Sequence, residues 1–563
     1  MNVEEDGPAG PRHIPADPRR ASGEAPAPGG RAGAGAPGAG ASDAEAPAAG
    51  APVRGAGLVL FAMCLGLMLS MLNSTLVNVT MPQIGSSLHT SVTGLQWVAD
   101  IYTLGYASLL LPGGALGNRL GRRSTFLVGV SAFLLGSLLC AVSPTTSVLL
   151  VSRAIQALGT AVMLPQTLAI VVTEYTEPSA RARAVGIWAG VAGIGLAAGP
   201  VLGGLALTVA NWRAGFALVL VLAVVTLALG YRVVPAARHG RPGQAPPVDF
   251  AGIVLGVLTL TALVYGLIES GTYGWGSPRI TGALVAAAAG AGLFLGTEHL
   301  VARRGGHPLM PLELWRVRGF VAANAAGLAY FLTLFGVLFF YSLDLQQQQG
   351  YSALTTGVLF LPLTACMAAF APVAGRLTAR VGGRSVLVTG LLVTAAGCLA
   401  LATEAPRPGL ADLEWRLSLV GIGCGLMSST MSNVAVSSVP PHHVNTAAAL
   451  HNTCRQIGAT MGIAVLGAIL YARQRAAVAA PFDRLDTSAR VAVSTAIHAG
   501  QADPGQAAHV SAATRRALND ASHSGFTSGL HMAMLLCALV LLACAAAALV
   551  LFRTRGPGGV RHA

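Results

Sequence analysis

The chain has 563 residues, of which 53% are hydrophobic and 10% are charged, and its mean hydropathy is +0.64. Soluble domains carry about 25% charged residues, so this composition excludes a water-soluble globular protein and predicts a polytopic membrane protein. The formal net charge of +13 includes no lysine. Because the arginines lie in short clusters between apolar runs, they follow the positive-inside pattern and argue against nucleic-acid binding.

The first 55 residues differ from the rest of the chain. Residues 1–55 are rich in Pro, Ala and Gly and show no apolar periodicity, and we predict a disordered cytoplasmic tail. Fourteen apolar stretches follow, each long enough at about 20 residues to cross a hydrocarbon core of ~30 Å. Backbone polar groups must pair with one another in lipid, so each stretch is predicted to be a helix. The predicted spans are 57–80, 95–116, 124–143, 147–171, 183–208, 214–234, 249–269, 280–301, 319–343, 354–377, 385–403, 412–437, 446–471 and 529–552.

Arginine sets the predicted orientation of these helices. The segments after the second, fourth, sixth, eighth and tenth predicted helices carry arginine, whereas those after the first, third and ninth carry none. Since basic residues stay in the cytoplasm, we expect a multi-pass protein of the cell membrane with both termini cytoplasmic. The stretch 472–528 is then an extracellular loop, and residues 554–563 form a short cytoplasmic tail.

A repeated basic segment divides the chain into halves. Gly114–Ser124 is echoed by Gly375–Ser385, with glycine, leucine, arginine and serine at matching positions, and each segment follows the second helix of a group. An internal repeat in a membrane chain predicts two homologous helical halves. We therefore expect a six-helix half over 56–234, two inserted helices with cytoplasmic linkers over 235–318, and a second six-helix half over 319–553.

Ionisable residues inside predicted spans are costly in lipid and therefore informative. Arg153 lies about two turns into the fourth predicted helix, and Asp100 lies one to two turns into the second from the same side. The two could pair or share a water cavity; alternatively, Asp100 is an interfacial acid near Trp97. Asp344 ends the ninth predicted helix, where its alternative is a solvated loop residue.

Polar stripes mark two further helices. On the first, four side chains fall within ~140° at 100° per residue and face either a cavity or a partner helix. These are Ser70, Asn73, Ser74 and Asn78. On the thirteenth, Arg455 and Gln456 follow Asn452 a few turns from the start. We expect both residues to line a cavity, with Arg455 as a cavity or gating charge; the alternative for Arg455 is pairing within the bundle.

Five passages resemble the major facilitator superfamily, in its 14-helix drug:proton antiporter branch. They are Asn73–Pro82, Gly114–Ser124, Leu150–Gly159, Gly186–Gly204 and Asn452–Gly462. With the helix count, the resemblance covers about residues 57–553. It implies an all-α integral membrane fold of two six-helix halves plus two inserted helices. It also implies export of small hydrophobic or amphipathic compounds by proton antiport, with substrate bound between halves that rock in alternating access.

The resemblance also assigns roles to residues. In the basic segment, the resemblance implies a gating contact between the halves; the alternative is a segment that only sets the membrane topology. The residues concerned are Gly114, Asn118, Arg119, Gly121, Arg122 and Arg123. In the fifth helix, the resemblance implies a rigid helix contact that sets the gating geometry; the alternative is helix packing alone. The residues concerned are Gly195, Gly199, Pro200 and Gly203. We expect Gln156 to line the cavity, and we predict that Asp100 and Asp344 carry protons while Arg153 tunes the neighbouring acid.

Two positions depart from the pattern of this branch. It usually has Asp where this chain has Asn73 and Asn118, and an amide keeps hydrogen bonds but cannot titrate. The alternatives are therefore an exporter of an endogenous metabolite that is uncoupled or coupled to another ion, and a non-transporting membrane sensor. We find no Walker A, Ser/His/Asp or HExxH grouping, so we expect no enzyme activity, no metal and no cofactor. The expected partners of this monomer are a small molecule, protons and the bilayer.

Overall fold

Helices dominate the part of the chain that the structure describes. The computed structural model describes residues 55–235, 249–306, 308–404, 409–440, 443–482, 485, 487–491 and 512–552, and within these ranges there is no strand. Both predicted tails lie outside this part, apart from Gly55. The principal helices are α1 Ala56–Leu88, α2 Val92–Leu120, α3 Arg122–Val142, α4 Thr146–Glu174, α5 Pro178–Val209, α6 Trp212–Val233, α7 Phe250–Tyr273, α8 Pro278–Arg303, α9 Arg318–Leu343, α10 Ala353–Leu359, α11 Leu361–Val381, α12 Gly383–Ala402, α13 Leu410–Ser437, α14 Val444–Phe482 and α15 Ala512–Phe552.

The number of spanning helices agrees with the prediction. Thirteen segments in the described part are long and apolar enough to cross a membrane, and α10 and α11 count as one of them. The 29-residue α2 is also long enough to cross, and with it the count is fourteen. The lipid-facing helices expose large apolar side chains, such as Val285 and Leu293 on α8. By contrast, α9 is buried along nearly its whole length.

In each of the two repeated basic segments, the turn between helices is shorter than the sequence suggested. Helix α2 continues to Leu120 and α3 begins at Arg122, so that only Gly121 breaks the helix, with a φ of 87°. Gly382 does the same between α11 and α12 with a φ of 84°. The apolar run ends before the helix does, because Asn, Arg and Leu continue the helix even where the sequence is no longer hydrophobic. Glycine is needed where φ is positive.

Helical structure extends from both sides into the predicted extracellular loop 472–528. Helix α14 continues to Phe482, and α15 begins at Ala512. Both extensions are rich in alanine, which has the strongest helix propensity. The arginines that lower their hydropathy do not interrupt the backbone hydrogen bonds. Most of 483–511 lies outside the described residues.

The helices pack as two groups with an added pair. In the N-terminal half (α1–α6), α3 packs on α4 and α1 on α5; in the C-terminal half (α9–α15), α12 packs on α13 and α9 on α14. The halves meet through α2 with α14, α5 with α10, and α1 with α9. The inserted α7 packs where α2 meets α14, through Leu104, Val264 and Ala464.

The helix bundle has two ends, the basic end and the distal end. The basic end carries the turns at Gly121 and Gly382, and the distal end is where α1 passes to α2 and α9 passes to α10. Gly204 of α5 approaches α10 at the distal end so closely that a Cβ there would lie 2.7 Å from the Ala353 carbonyl oxygen. The halves are therefore in direct backbone contact at the distal end.

Candidate functional site

A buried arginine organises the N-terminal half. Arg153 of α4 is 1% exposed. Its Nε donates to the Val98 carbonyl at 3.1 Å and its Nη1 to Gln156 Oε1 at 3.1 Å. The guanidinium also lies 4.4 Å from the centroid of the Tyr102 ring. Each of these partners is neutral, so the charge is solvated by dipoles and an aromatic face rather than by a counter-ion.

The partners of Arg153 extend this network through the half. Gln156 Nε2 donates to Ser137 Oγ of α3 at 2.8 Å. The Tyr102 hydroxyl lies 3.3 Å from Ser70 Oγ of α1 and 3.0 Å from Thr160 Oγ1 of α4. Gln156 thus bonds inside the N-terminal half, and the network ties together α1, α2, α3 and α4.

Asp100 stands apart from this network. It is fully buried on α2, and neither carboxylate oxygen has a hydrogen-bond partner in the structure. The Arg153 donors are directed at Val98 and Gln156 instead, so the structure does not show the predicted pairing of Arg153 with Asp100. Burying a carboxyl group without a partner is costly, so Asp100 stays a candidate site residue.

Asp100 faces the C-terminal half. Gln96 and Thr103 lie four residues before and three residues after it, on the same side of α2. Gln96 Nε2 donates to the Ile463 carbonyl of α14 at 3.2 Å, and Thr460 Oγ1 of α14 donates to Thr103 Oγ1 at 2.9 Å. The unpartnered carboxyl group therefore sits between two bridges that join the halves.

Further polar atoms around this interface lack partners. Both amide atoms of Asn73 and of Asn78 on α1 are buried and unbonded, while Ser74 Oγ donates to the Ser70 carbonyl at 2.9 Å. Gln456 Oε1 on α14 is likewise buried without a partner. Buried polar groups are normally satisfied, so this concentration is typical of a site filled by water or ligand.

Arg455 is the charge that α14 contributes. Its Nη1 donates to Asn452 Oδ1 at 3.3 Å, its guanidinium lies 4.4 Å from the Phe331 ring centroid, and its Nε has no partner. One turn earlier, His451 Nδ1 lies 3.3 Å from Asn324 Oδ1 of α9. Like Arg153, Arg455 is held by an aromatic face and an amide.

Asp344 is buried rather than solvated. It opens a π-helical turn, Asp344–Gln348, and is 7% exposed. Its Oδ2 accepts from Gln349 Nε2 at 2.6 Å. From the same region, Ser342 Oγ donates to the Asn78 carbonyl at 2.9 Å and Gln346 Nε2 to the Val79 carbonyl at 3.0 Å. Asp344 therefore lies beside bridges to α1 at the distal end.

One acid beside Asp344 was missed by the sequence reasoning. Glu404 follows α12, is 7% exposed, and its Oε2 accepts from the Tyr341 hydroxyl at 2.9 Å. Burial raises the pKa of Glu404 to about 7 despite that hydrogen bond, with a smaller upward contribution from Asp344. The signal was present in the sequence: an acid one residue beyond a predicted span ending at 403.

The sequence matches the description Major Facilitator Superfamily over residues 63–463. The chain belongs to this superfamily. Among similar major facilitators are "Multidrug resistance protein Stp" of Mycobacterium tuberculosis, 35% identical over 74% of this chain and 76% of that protein, and "Tetracenomycin C resistance and export protein" of Streptomyces glaucescens, 32% identical over 87% and 90%. "Multidrug efflux pump LfrA" of Mycolicibacterium smegmatis is 30% identical over 88% and 96%. The structure of a bacterial homologue of the human lysosomal transporter Spinster, described as inward-facing and occupied, superposes with a TM-score of 0.61 at 17% identity, covering 90% of this chain and all of that one.

The repeated arginines of this major facilitator bind within their own halves. Arg122 Nη1 donates to the Ala169 carbonyl at 2.9 Å and to Thr173 Oγ1, and Arg123 Nη2 donates to the Tyr231 carbonyl of α6 at 2.6 Å. In the C-terminal half, Arg384 Nη2 approaches the Leu549 carbonyl of α15 at 3.5 Å. Arg119 is exposed, and the Asn118 side chain lies outside the described residues. The described bonds thus anchor each third helix to its own half, and the gating role of this segment stays a prediction.

The glycines of α5 form a close seam with α1. A Cβ at Gly195 would lie 2.9 Å from Met71 Cβ, one at Gly199 would lie 2.0 Å from Thr75 Oγ1, and one at Gly203 would lie 2.8 Å from the Leu76 carbonyl oxygen. Pro200 lacks an N–H and leaves the Leu196 carbonyl without its intrahelical partner. Thr75 Oγ1 donates to that carbonyl at 3.1 Å. The proline is therefore part of the seam.

Proposed function

We propose that this chain exports small hydrophobic or amphipathic compounds, drugs or antibiotics among them, by proton antiport with alternating access. Relatives that align over most of both chains are named for multidrug resistance, antibiotic resistance and efflux. A largely apolar interface with a few unsatisfied polar atoms suits such solutes. The observation that carries the proposal is the buried, unpartnered carboxyl group of Asp100 between the halves.

The arginine distribution supports an orientation. With Arg122, Arg123 and Arg384 at the basic end, that end faces the cytoplasm under the positive-inside rule, and both termini are cytoplasmic in a monomer of the cell membrane. The bridges between α1 and α9 then close the extracellular end.

Asp100 is the proposed coupling residue. It takes the role of the helix 1 acid that is usual in this branch, where this chain has Asn73. A proton neutralises its carboxyl group while the site is closed, and substrate or water can take over its hydrogen bonds when the halves part. Arg153 holds α2 in place through Val98 and Tyr102. It is therefore a positioning residue in this proposal rather than the counter-ion of Asp100.

The test uses inverted membrane vesicles with an imposed pH gradient and ethidium as the transported dye. Asp100→Asn should reduce gradient-driven dye transport at least tenfold, because the amide cannot bind or release a proton. Asp520→Asn, an exposed acid on α15, is the matched control and should transport normally. Undiminished gradient-driven transport by Asp100→Asn would show that coupling does not use this residue.

The second candidate is uncoupled export of a metabolite, and Asn73 favours it because a titratable acid is missing there. Proton flux measured in liposomes separates the two. Antiport predicts substrate-dependent proton movement, whereas uncoupled export predicts substrate flux without it.

A further inference from the structure

Two acids at the distal end share one buried environment. Asp344 opens the π-helical turn after α9, and Glu404 follows α12. Tyr341, one turn before Asp344, donates its hydroxyl to Glu404 Oε2 at 2.9 Å. Each acid is 7% exposed, and Tyr341, which binds Glu404, lies three residues before Asp344 on the same side of the chain. Two neighbouring buried carboxylates cannot both ionise cheaply.

The cations and polar groups around the pair do not neutralise it. Glu404 Oε1 is buried and has no hydrogen-bond partner in the structure. Arg416 of α13 binds Asp412 Oδ2 at 2.9 Å, and its charge lowers the pKa of Glu404 by less than burial raises it. His531 of α15 bonds to the backbone of Glu404 rather than to its carboxylate. Gln349 is the neutral donor to Asp344.

The turn that carries Asp344 also closes the interface between the halves. Pro82 in α1 lacks an N–H, so the Asn78 carbonyl loses its intrahelical partner. Ser342 supplies the missing bond at 2.9 Å, and Gln346 bonds to the next carbonyl, that of Val79. Movement of the π-helical turn away from α12 would therefore strain the contacts that hold α9 on α1.

We propose that Asp344 and Glu404 form a proton-binding pair whose protonation holds the distal end of the interface closed. The proton comes from water at the distal side and returns to it, and no covalent bond other than O–H changes. This inference deepens the proposed function by naming a second proton site, beside the contact of α9 with α1 rather than the contact of α2 with α14 where Asp100 lies. Loss of the proton places two negative charges side by side and pushes the π-helical turn away from α12.

The direction of the pH dependence follows from Glu404. Its pKa rises from 4.5 to about 7 in the closed, buried arrangement. A carboxyl group whose pKa is raised by closure favours the closed form at low pH. That preference declines as pH increases from 4.5 to about 7 and then levels off.

The test measures the distance between the halves in the purified full-length protein, without substrate or a pH gradient. Spin labels at Ser86→Cys on α1 and Ala411→Cys on α13, both exposed at the distal end, report it by pulsed electron paramagnetic resonance. The half-buried Cys366, Cys454 and Cys544 are first replaced by alanine. The short-distance population should fall between pH 4.5 and pH 7.

Three variants and one control decide the outcome. Asp344→Asn/Glu404→Gln should remove the pH dependence, and Glu404→Gln alone should reduce it. Tyr341→Phe deletes the hydrogen bond that favours ionised Glu404. The fall of the short-distance population should therefore extend to a higher pH by about one unit. Glu414→Gln, a half-buried acid on α13, should behave like the parent protein. A pH-insensitive distance in the parent, or the same fall in the double variant, overturns the inference. Because no transport is measured, an absence of proton-driven export would not change this result.

Discussion

Arg153 shows how a charge can be kept in the apolar part of a helix bundle without an acid beside it. Its fork of donors meets the Val98 carbonyl and the Gln156 amide oxygen, and the Tyr102 ring covers its face. This geometry depends on a planar guanidinium, which the compact ammonium group of lysine does not reproduce. The arginine therefore links α2 and α4 in a fixed geometry.

We expect Arg153→Lys to lower the stability of the folded protein by about 1–2 kcal/mol, because the bidentate contacts and the ring contact are lost. Thermal unfolding in detergent would measure the change as a lower Tm. Arg232→Lys, at an exposed position on α6, provides the comparison and should unfold as the parent does. Equal Tm values for the two variants would contradict the stabilising link between α2 and α4.

At the scale of single helices, close packing of α5 on α1 is the most specific feature. The seam combines the absence of side chains at Gly195, Gly199 and Gly203 with the proline-freed carbonyl of Leu196. Small residues allow such approach in membranes, where packing and hydrogen bonds replace the hydrophobic effect. The spacing of these glycines indicated the seam, but only the packed structure shows that α1 is the partner.

The same helix supplies a matched pair of glycine substitutions. Gly199→Ala places a Cβ 2.0 Å from Thr75 Oγ1 and 2.8 Å from the Leu76 nitrogen. It should destabilise the protein by about 1–3 kcal/mol through overpacking. Gly190→Ala on α5 meets nothing within 4 Å and should be neutral or slightly stabilising because alanine favours the helix. Unfolding temperatures of the two variants that agree within error would exclude the seam as a tight contact.

For the whole molecule, the decisive feature is that, among the described residues, few polar bridges join the two halves. Thr103 with Thr460 and Gln96 with Ile463 join α2 to α14, and Ser342 and Gln346 join α9 to α1. Such bridges can break and re-form as a set when halves rock against each other. Rocking of this kind requires that the contact at this interface be reversible.

A disulfide across one bridge should stop the transport cycle. The hydroxyl oxygens of Thr103 and Thr460 lie 2.9 Å apart, so Thr103→Cys/Thr460→Cys should oxidise readily and lock α2 to α14. Dye export should fall to background after oxidation and recover on reduction. Each single cysteine variant serves as a control, and continued export by the cross-linked protein would rule out separation of the halves at this point.

The sequence by itself determined the number and order of the spanning helices, the internal repeat and the superfamily, because hydrophobic length, glycine spacing and short motifs are local properties of the chain. It also found several buried polar residues, among them Asp100, Arg153 and Asp344, since a charged residue within an apolar run is conspicuous wherever the helix lies. Only the tertiary structure decided which of them meet. Arg153 binds Val98 instead of Asp100, Asp100 faces α14, and Glu404 comes beside Asp344 from a distant helix. These pairings depend on the rotation and depth of one helix against another, which packing of the whole bundle sets and no single segment encodes.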